Sequence, residues 1–361
     1  MTVRHISWPS IGQFREVVKT VQQKSRYKGK DENGDAIFDP FAKLPILNFE
    51  ATTKIHGSNA SCLRDAEGNM WAQSRENIIT PEKDNAGFAM FVEANKERFA
   101  NIFKTILDEA TLLEFTKHTV AVFGEWCGGN IQKNVAVCEL PKMFVIFGIA
   151  FVDDEGNKTY FPREIMEHIL WDNVDEVAEE VPDFSGIYSI YDFPTYRIAI
   201  DFENPHDAQN PITQLVEKIE AECPVGKGFG IIGTGEGLVW RCTSEGFDDS
   251  GFWFKTKGEK HSKSKVKTLA TVDVEKINSL KELAERCANK ERLNQGLQQV
   301  FGINGEIDVK QTGDYIRWVM KDIAKECLEE IAVSGFSMKE ISSPVSKLAR
   351  DHLMQNLEFP K

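Results

Sequence analysis

The chain has 361 residues, 41% of them hydrophobic and 27% charged, and a formal net charge of −13. It is long enough for two domains that each bury a core, and its balance is that of a globular enzyme rather than a disordered or fibrous chain. The longest apolar run, Met143 to Val152, is about half of a membrane span, and Arg4, Arg15, Lys19, Lys24 and Arg26 leave no apolar stretch for a secretory leader.

In chain order, Ile11, Phe14, Val18 and Val21 share one face of a helix that follows Ser7-Trp8-Pro9. Residues 28–45, punctuated by Gly, Asp and Pro, read as an exposed loop. Short strands at Ile46-Leu47-Asn48-Phe49 and Asn59-Ala60-Ser61-Cys62-Leu63 flank Thr53-Lys54-Ile55-His56-Gly57-Ser58, where a glycine permits a sharp turn. A hairpin joins Asn59–Arg64 to Met70–Ser74. Phe88, Phe91, Val92, Phe99, Ile102, Phe103 and Ile106 define one long amphipathic helix. Strands return at Val120–Glu125, Met143–Val152 and Tyr196–Phe202, and a helix covers Ile212–Cys223. Strands and helices interleaved without regular β-α-β spacing predict an α+β domain of antiparallel sheets. Beyond Lys267 only helical stripes remain: Leu280, Leu283, Ala284 and Cys287, then Ile316, Val319, Met320, Ile323 and Cys327, with Ser343-Pro344 as the start of a last helix. The domains are therefore 1–264 and an all-α 265–361. Seven scattered cysteines without a C-x-x-C pair predict reduced thiols, no structural zinc and a cytoplasmic setting.

The chemistry starts at Lys54. A lysine amine attacks phosphorus only when deprotonated, which needs burial or cationic neighbours to lower its pKa from about 10.4. Lys-x-His-Gly alone also fits a surface lysine before a turn. Four further pieces follow in order: Val122-Phe123-Gly124-Glu125 ends a strand in an acid, Phe144-Val145-Ile146-Phe147-Gly148-Ile149 is aromatic, Glu236-Gly237-Leu238-Val239-Trp240-Arg241 begins with an acid, and Phe252-Trp253-Phe254-Lys255-Thr256-Lys257 ends in two lysines on one face. This ordered set resembles the nucleotidyltransferase motifs of the covalent ligase and capping-enzyme superfamily. Within it, Lys54-Ile55-His56-Gly57-Ser58-Asn59 is similar to the RNA ligase 2 family of phage-type RNA-joining enzymes.

The resemblance implies an ATP-dependent nucleotidyltransferase domain with a small helical domain behind it, acting through a lysyl-AMP on Lys54. Lys255 and Lys257 would neutralise the α-phosphate, Glu236 would hold a divalent ion (Mg²⁺ or Mn²⁺), and Glu125 would accept a ribose hydroxyl. Phe147 would stack on adenine, with Phe144 as the alternative. Relatives often carry an acid where this chain has Gly148. Thr53 would reach adenine through its backbone, Asn59 and Arg75 would contact phosphates, and His56 would act after adenylation or merely order the turn. The implied partner is RNA with 3′-OH and 5′-phosphate ends, in a nicked duplex, bound by a monomer that makes no use of a membrane.

Other readings stand beside this one. A DNA ligase or capping enzyme would share the lysine, but such enzymes usually carry an aspartate where this chain has His56 and append a β-domain rather than helices. A non-catalytic relative would have lost a motif residue. The acidic charge requires a local basic surface for nucleic acid, and Lys255, Lys257, Lys260, Lys263, Lys265 and Lys267 supply one or else form a solvated linker. Gly228-Phe229-Gly230-Ile231-Ile232-Gly233, with Asp248 beyond it, spells a dinucleotide fingerprint, but a helix precedes it and a strand follows, the reverse of what a pyrophosphate site needs. A flexible approach to Glu236 is the expected role of these glycines. No phosphate-binding G-K-[ST] loop occurs.

Overall fold

The computed structural model describes residues 3–84, 86–111, 119–129, 131–161, 163, 166–167, 170, 186–258, 280–302, 307–334 and 336–358. The chain divides into two compact units, Met1–Lys260 and His261–Lys361. The boundary expected at 264/265 and the lysines at 260, 263, 265 and 267 lie outside the described residues.

The first unit opens with α1 (Phe14–Arg26) and a hairpin of β1 (Tyr27–Lys30) and β2 (Ala36–Phe38). It continues with β3 (Ile46–Lys54), β4 (Ser58–Arg64), β5 (Met70–Ser74), β6 (Ile78–Ile79), α2 (Phe88–Ala94), α3 (Lys96–Thr111), β7 (Thr119–Cys127) and β8 (Met143–Val152). Then come β9 (Lys158–Tyr160), β10 (Ile187–Ser189), β11 (Tyr196–Asp201), α4 (Gln209–Ala221), α5 (Pro224–Gly228), β12 (Gly237–Cys242) and β13 (Phe254–Lys257). Besides the β1-β2 pair, the described strands form a four-stranded sheet in the order β11-β3-β12-β13 and a seven-stranded one in the order β10-β8-β7-β4-β5-β6 with β9 also on β8. Pairing within both is antiparallel except for β10, which runs parallel to β8.

Several expectations shift. Phe14, Val17, Val18 and Val21 are buried by α1, and Ile11 stays outside the helix. The region read as a loop holds the β1–β2 hairpin, whose strands are largely exposed and so lack the alternation that reveals a half-buried strand. The single helix expected over Phe88–Ile106 is broken at Asn95, whose side chain donates to the Phe91 carbonyl (2.9 Å) and so ends α2.

A strap formed by the first residues ties the two sheets together. Gln73 on β5 accepts the Ile6 amide at 3.0 Å and donates back to the Ile6 carbonyl, and Lys158 on β9 donates to the Ser7 carbonyl. A few residues later Gly12 bridges to Phe254 and accepts the Lys255 amide at 3.0 Å, so the same segment ends on β13 of the other sheet.

The second unit packs α6 (Leu280–Cys287), α7 (Lys290–Phe301), α8 (Thr312–Glu326), α9 (Leu328–Val333) and α10 (Met338–Glu358) around Leu283, Val319, Ile323, Ile341, Val345 and Leu353. The last helix starts ahead of the expected Ser343-Pro344. Ser337 and Glu340 bond each other's amides as a capping box, and Pro344 lies inside the helix. No helix among the described residues is long and apolar enough to cross a membrane. All seven cysteines are buried and free.

Candidate active site

Lys54 is the last residue of β3, and four residues later, at Ser58, the chain enters β4 of the other sheet. The Lys54-to-Gly57 turn is thus the crossover between the sheets, anchored by Ile55, which is buried in a cluster with Cys127, Val145 and Tyr188. Glycine is needed at 57 for space: a Cβ there would sit 2.5 Å from the Trp126 carbonyl oxygen. The Gly57 amide donates to Glu125 Oε1 (3.0 Å) and its carbonyl accepts from Gln132 Nε2 (3.1 Å), so the turn is gripped from both sides. Gln132 was not foreseen; as a lone amide in a loop it carries no signal in the sequence.

Strand pairing places Gly237 opposite both Lys54 and Lys257, which sets Glu236 between two lysines. Glu236 is 2% exposed, and both its oxygens are engaged. Oε2 lies 2.7 Å from Lys54 Nζ and 3.3 Å from His56 Nδ1, and Oε1 lies 2.7 Å from Lys257 Nζ. Burial alone would raise the carboxyl's pKa, but Lys257, Lys54 and His56 outweigh it and hold the group well below the usual carboxylate range. Lys257 is itself pushed down, first by burial and then by the charges of Lys54 and Lys255, against the pull of Glu236. Lys255 lies two residues before Lys257 on the same face of β13, as alternation requires.

Glu125, on β7 opposite Asn59 of β4, meets the turn from the other sheet. Burial raises its carboxyl to about 7, although Lys54 and Arg75 pull the other way. Arg75 stands exposed at the end of β5, its nearest acid being Glu76 at 3.9 Å; it reaches the site through its field rather than by contact. Thr53 is buried, its side chain on the opposite face of β3 from Lys54, which leaves only its backbone near the turn.

The two candidate aromatics are placed differently. Phe144 is fully buried against Phe88 and Phe99, at ring separations of 4.8 and 6.0 Å. Phe147 is part-buried and sits at a β-bulge: Phe123 faces Gly148 and Gly124 faces Ile146, which leaves Phe147 as the extra residue. Gly148 has a steric reason, since a Cβ there would lie 2.2 Å from the ring of Trp8. Trp8 in turn stacks on Trp253 (5.4 Å), and the Arg241 guanidinium lies 5.5 and 4.6 Å from the two indoles, each such cation–π contact contributing about 0.5–2 kcal/mol.

The glycines before Glu236 differ in their surroundings: Gly230, at φ +75°, has open space beside it, and a Cβ at Gly233 would lie 3.1 Å from Ala136, whereas one at Gly235 would lie 2.6 Å from the Ile219 carbonyl oxygen. The segment follows the short α5 and leads into β12, so no helix N-terminus is available for a pyrophosphate.

A divalent ion would find one fully ionised carboxylate, Glu236, beside the lysines. That donor set fits Mg²⁺, which keeps most of its water and binds through one or two carboxylates and the substrate's own phosphates. In the second unit Cys287, Cys327 and Glu330 present ligand atoms within 4.8 Å of one another. Arg292 already lies 3.2 Å from Cys327 Sγ and Arg286 2.7 Å from Glu330 Oε1, so guanidinium groups occupy the place of a metal.

A family model described as RNA ligase matches residues 47–257, from the first turns of β3 to the last residue of β13. All the residues placed around Lys54 fall inside that stretch, and the strap and the helical unit fall outside it. Among solved structures, the RNA ligase of Naegleria gruberi with PPi is similar at 16% identity and a TM-score of 0.42, over 71% of this chain and 57% of that one. Mutants of the same enzyme, one with AMP and Mn and one with ATP and Mn, are similar at 16% identity and TM-scores of 0.41, with the same coverage. The chain thus spans 57% of the length of the ligases it matches.

Proposed function

The chain belongs to the RNA ligase family, and from that premise we propose that it is an ATP-dependent RNA ligase acting through a lysyl-AMP on Lys54. The observation that carries the proposal is the convergence of Lys54, His56 and Lys257 on the buried Glu236 at the crossover between the sheets. In this resting arrangement Glu236 stabilises Lys54 as an ammonium. Attack requires the amine to shed its proton to solvent and turn toward the α-phosphorus, a change favoured when the carboxylate is neutralised from its other side. The new bond is P–N, the broken one is the Pα–O bond to pyrophosphate, which leaves with that electron pair, and the attacking nitrogen gives up its second proton to solvent or to the departing pyrophosphate. Lys257 and Lys255 would neutralise charge gathering on the α-phosphate, Lys257 by exchanging its bond to Glu236 for one to the phosphate. Glu236 would hold a divalent ion, directly or through water; such an ion supplies charge neutralisation at the phosphates.

Glu125 would accept a ribose hydroxyl while holding the Gly57 amide, and Phe147 would pack against adenine. Asn59 and Arg75 would meet phosphates in the later steps, in which AMP passes to a 5′-phosphate and is then displaced by a 3′-hydroxyl. The substrate proposed is a 3′-OH/5′-phosphate nick in duplex RNA, with ribose preferred on the 3′-OH side because A-form shape and the 2′-hydroxyl can be read there. The test is incubation with ATP and Mg²⁺, intact-mass detection of a protein–AMP adduct, and sealing assays on nicked duplexes. An adduct from ATP but not GTP, with sealing of ribose-terminated nicks, is expected. Equal rates on an all-DNA nick would move the protein to the DNA-ligase reading, and an adduct from GTP would move it to the capping reading.

A further inference from the structure

Phe147 is the unpaired residue of its bulge, so its carbonyl falls out of step with the ladder to β7. Arg241 of β12, in the other sheet, donates to that carbonyl from Nη2 at 2.7 Å. The same guanidinium is held between the indoles of Trp8 and Trp253, and Trp8 also meets the Phe147 ring edge-on at 5.3 Å. Trp8 reaches this place because Gly148, next to Phe147, leaves room for its ring. Arg241 from one sheet and Trp8 from the strap therefore converge on a single backbone kink of the other sheet. The planar guanidinium suits this position, since it stacks and donates at once.

We infer that Arg241 is a positioning residue for the nucleotide base: braced by Trp8 and Trp253, it fixes the bulge that presents Phe147, and the strap is thereby part of the base pocket. The inference rests on Phe147 being the residue against which the base packs. It separates base recognition from phosphate recognition. Arg241 is bonded to the Phe147 end of the site, whereas the triphosphate end is built by Lys54, Lys255 and Lys257.

The experiment compares wild type with Arg241→Met, which keeps length and bulk but loses the donors, and with Arg241→Lys, which keeps the charge. In single-turnover adenylation, Arg241→Met is expected to raise the apparent KM for ATP about tenfold and leave the maximal rate within about twofold. Arg241→Lys should recover part of the loss. Inhibition by pyrophosphate, which probes only the phosphate end, should not change in either variant. An unchanged KM, or a pyrophosphate inhibition constant that moves by the same factor, overturns the inference. If Arg241→Met does not fold, Trp8→Phe is expected to give the same pattern at about threefold, and an unchanged KM there also overturns it. If the wild type forms no adduct, the ligase reading fails on its own. ATP and pyrophosphate titrations followed by indole fluorescence then decide the inference: selective loss of ATP affinity in the variants sustains it, and parallel or absent loss overturns it.

Discussion

Each unit of this protein buries a cluster of charge, and the two are built in opposite ways. In the first, the anion Glu236 is central at 2% exposure, and the side chains that neutralise it stay reachable: Lys54 at 22%, Lys257 at 23% and His56 at 26%. In the second, the cation Arg292 is central at 0% exposure, bonded to Asp322 at 2.8 Å, to Cys327 Sγ at 3.2 Å and to the Cys287 carbonyl. The Cys287 thiol and then Arg292 lower the pKa of Cys327, while Cys287 is pushed up. Taking charge out of water costs several kcal/mol per ion, so both clusters need compensation. In the first, all three compensating side chains reach solvent around a sealed anion; in the second, the central cation is sealed and its acid Asp322 is 17% exposed. A buried ion is thus a poor marker of chemistry by itself; whether its partners can be reached and exchanged is the better guide.

The largest expected effect tests the first half of that contrast. Lys54→Ala should abolish the protein–AMP adduct seen by intact mass, because a phosphoramidate needs a primary amine, and the protein should still fold. Persistence of the adduct would remove Lys54 from the chemistry. His56→Ala comes next: it should still form the adduct yet lose most sealing of a nicked duplex. Equal loss of both activities would instead make His56 a prop of the turn, acting through its contact with Glu236.

Arg292→Ala tests the second half. It leaves the part-buried Asp322 and the buried sulfur pair without their cation and should destabilise the helical unit by about 3–5 kcal/mol. Denaturant unfolding reads this directly, and adduct formation below the transition should match wild type. Unaltered stability together with a lost adduct would invert the comparison and place chemistry at the sealed cluster.

Much of the first cluster was legible because its residues sit at strand ends in a fixed order. Lys54, Glu236 and Lys257 meet because β3, β12 and β13 are neighbours, and each strand was visible from its apolar run. What escaped was whatever depended on distant packing. The bulge at Phe147, which sets it apart from the buried Phe144, has no local signature, since it shifts the alternation by one residue. Gly148 looked like a departure until Trp8, from the far end of the chain, was seen to fill its space. The close neighbours of Gly233 and Gly235, Ala136 and Ile219, are remote in sequence and leave no local pattern. Pro344 fits a helix start, but the Ser337–Glu340 capping box ahead of it sets the boundary. The sealed cluster around Arg292 gave no signal at all; a lone arginine in an amphipathic helix reads as a surface charge.

The smallest effect concerns Glu125, a carboxylate beside the same turn that bonds the Gly57 amide, which sharpens the contrast within a single site. Burial raises its pKa from 4.5 to about 7, so the fold favours the protonated carboxyl. The sign follows from linkage: its contribution to stability is fully present below about 4.5 and is lost as pH rises through about 7. Glu236, held low by its cations, acts in the opposite sense and in a separate window, since its contribution is present above 4.5 and fades only as pH falls below that. Glu125→Gln keeps an oxygen for the Gly57 amide and removes the titration. Relative to wild type, the variant should therefore gain stability with pH between about 4.5 and 7, with a slope of at most about 1.4 kcal/mol per pH unit, and the difference should be flat outside that window. Urea unfolding of both proteins from pH 4 to 8 measures it, and parallel curves would mean that water or a neighbouring charge already keeps Glu125 ionised in the folded protein.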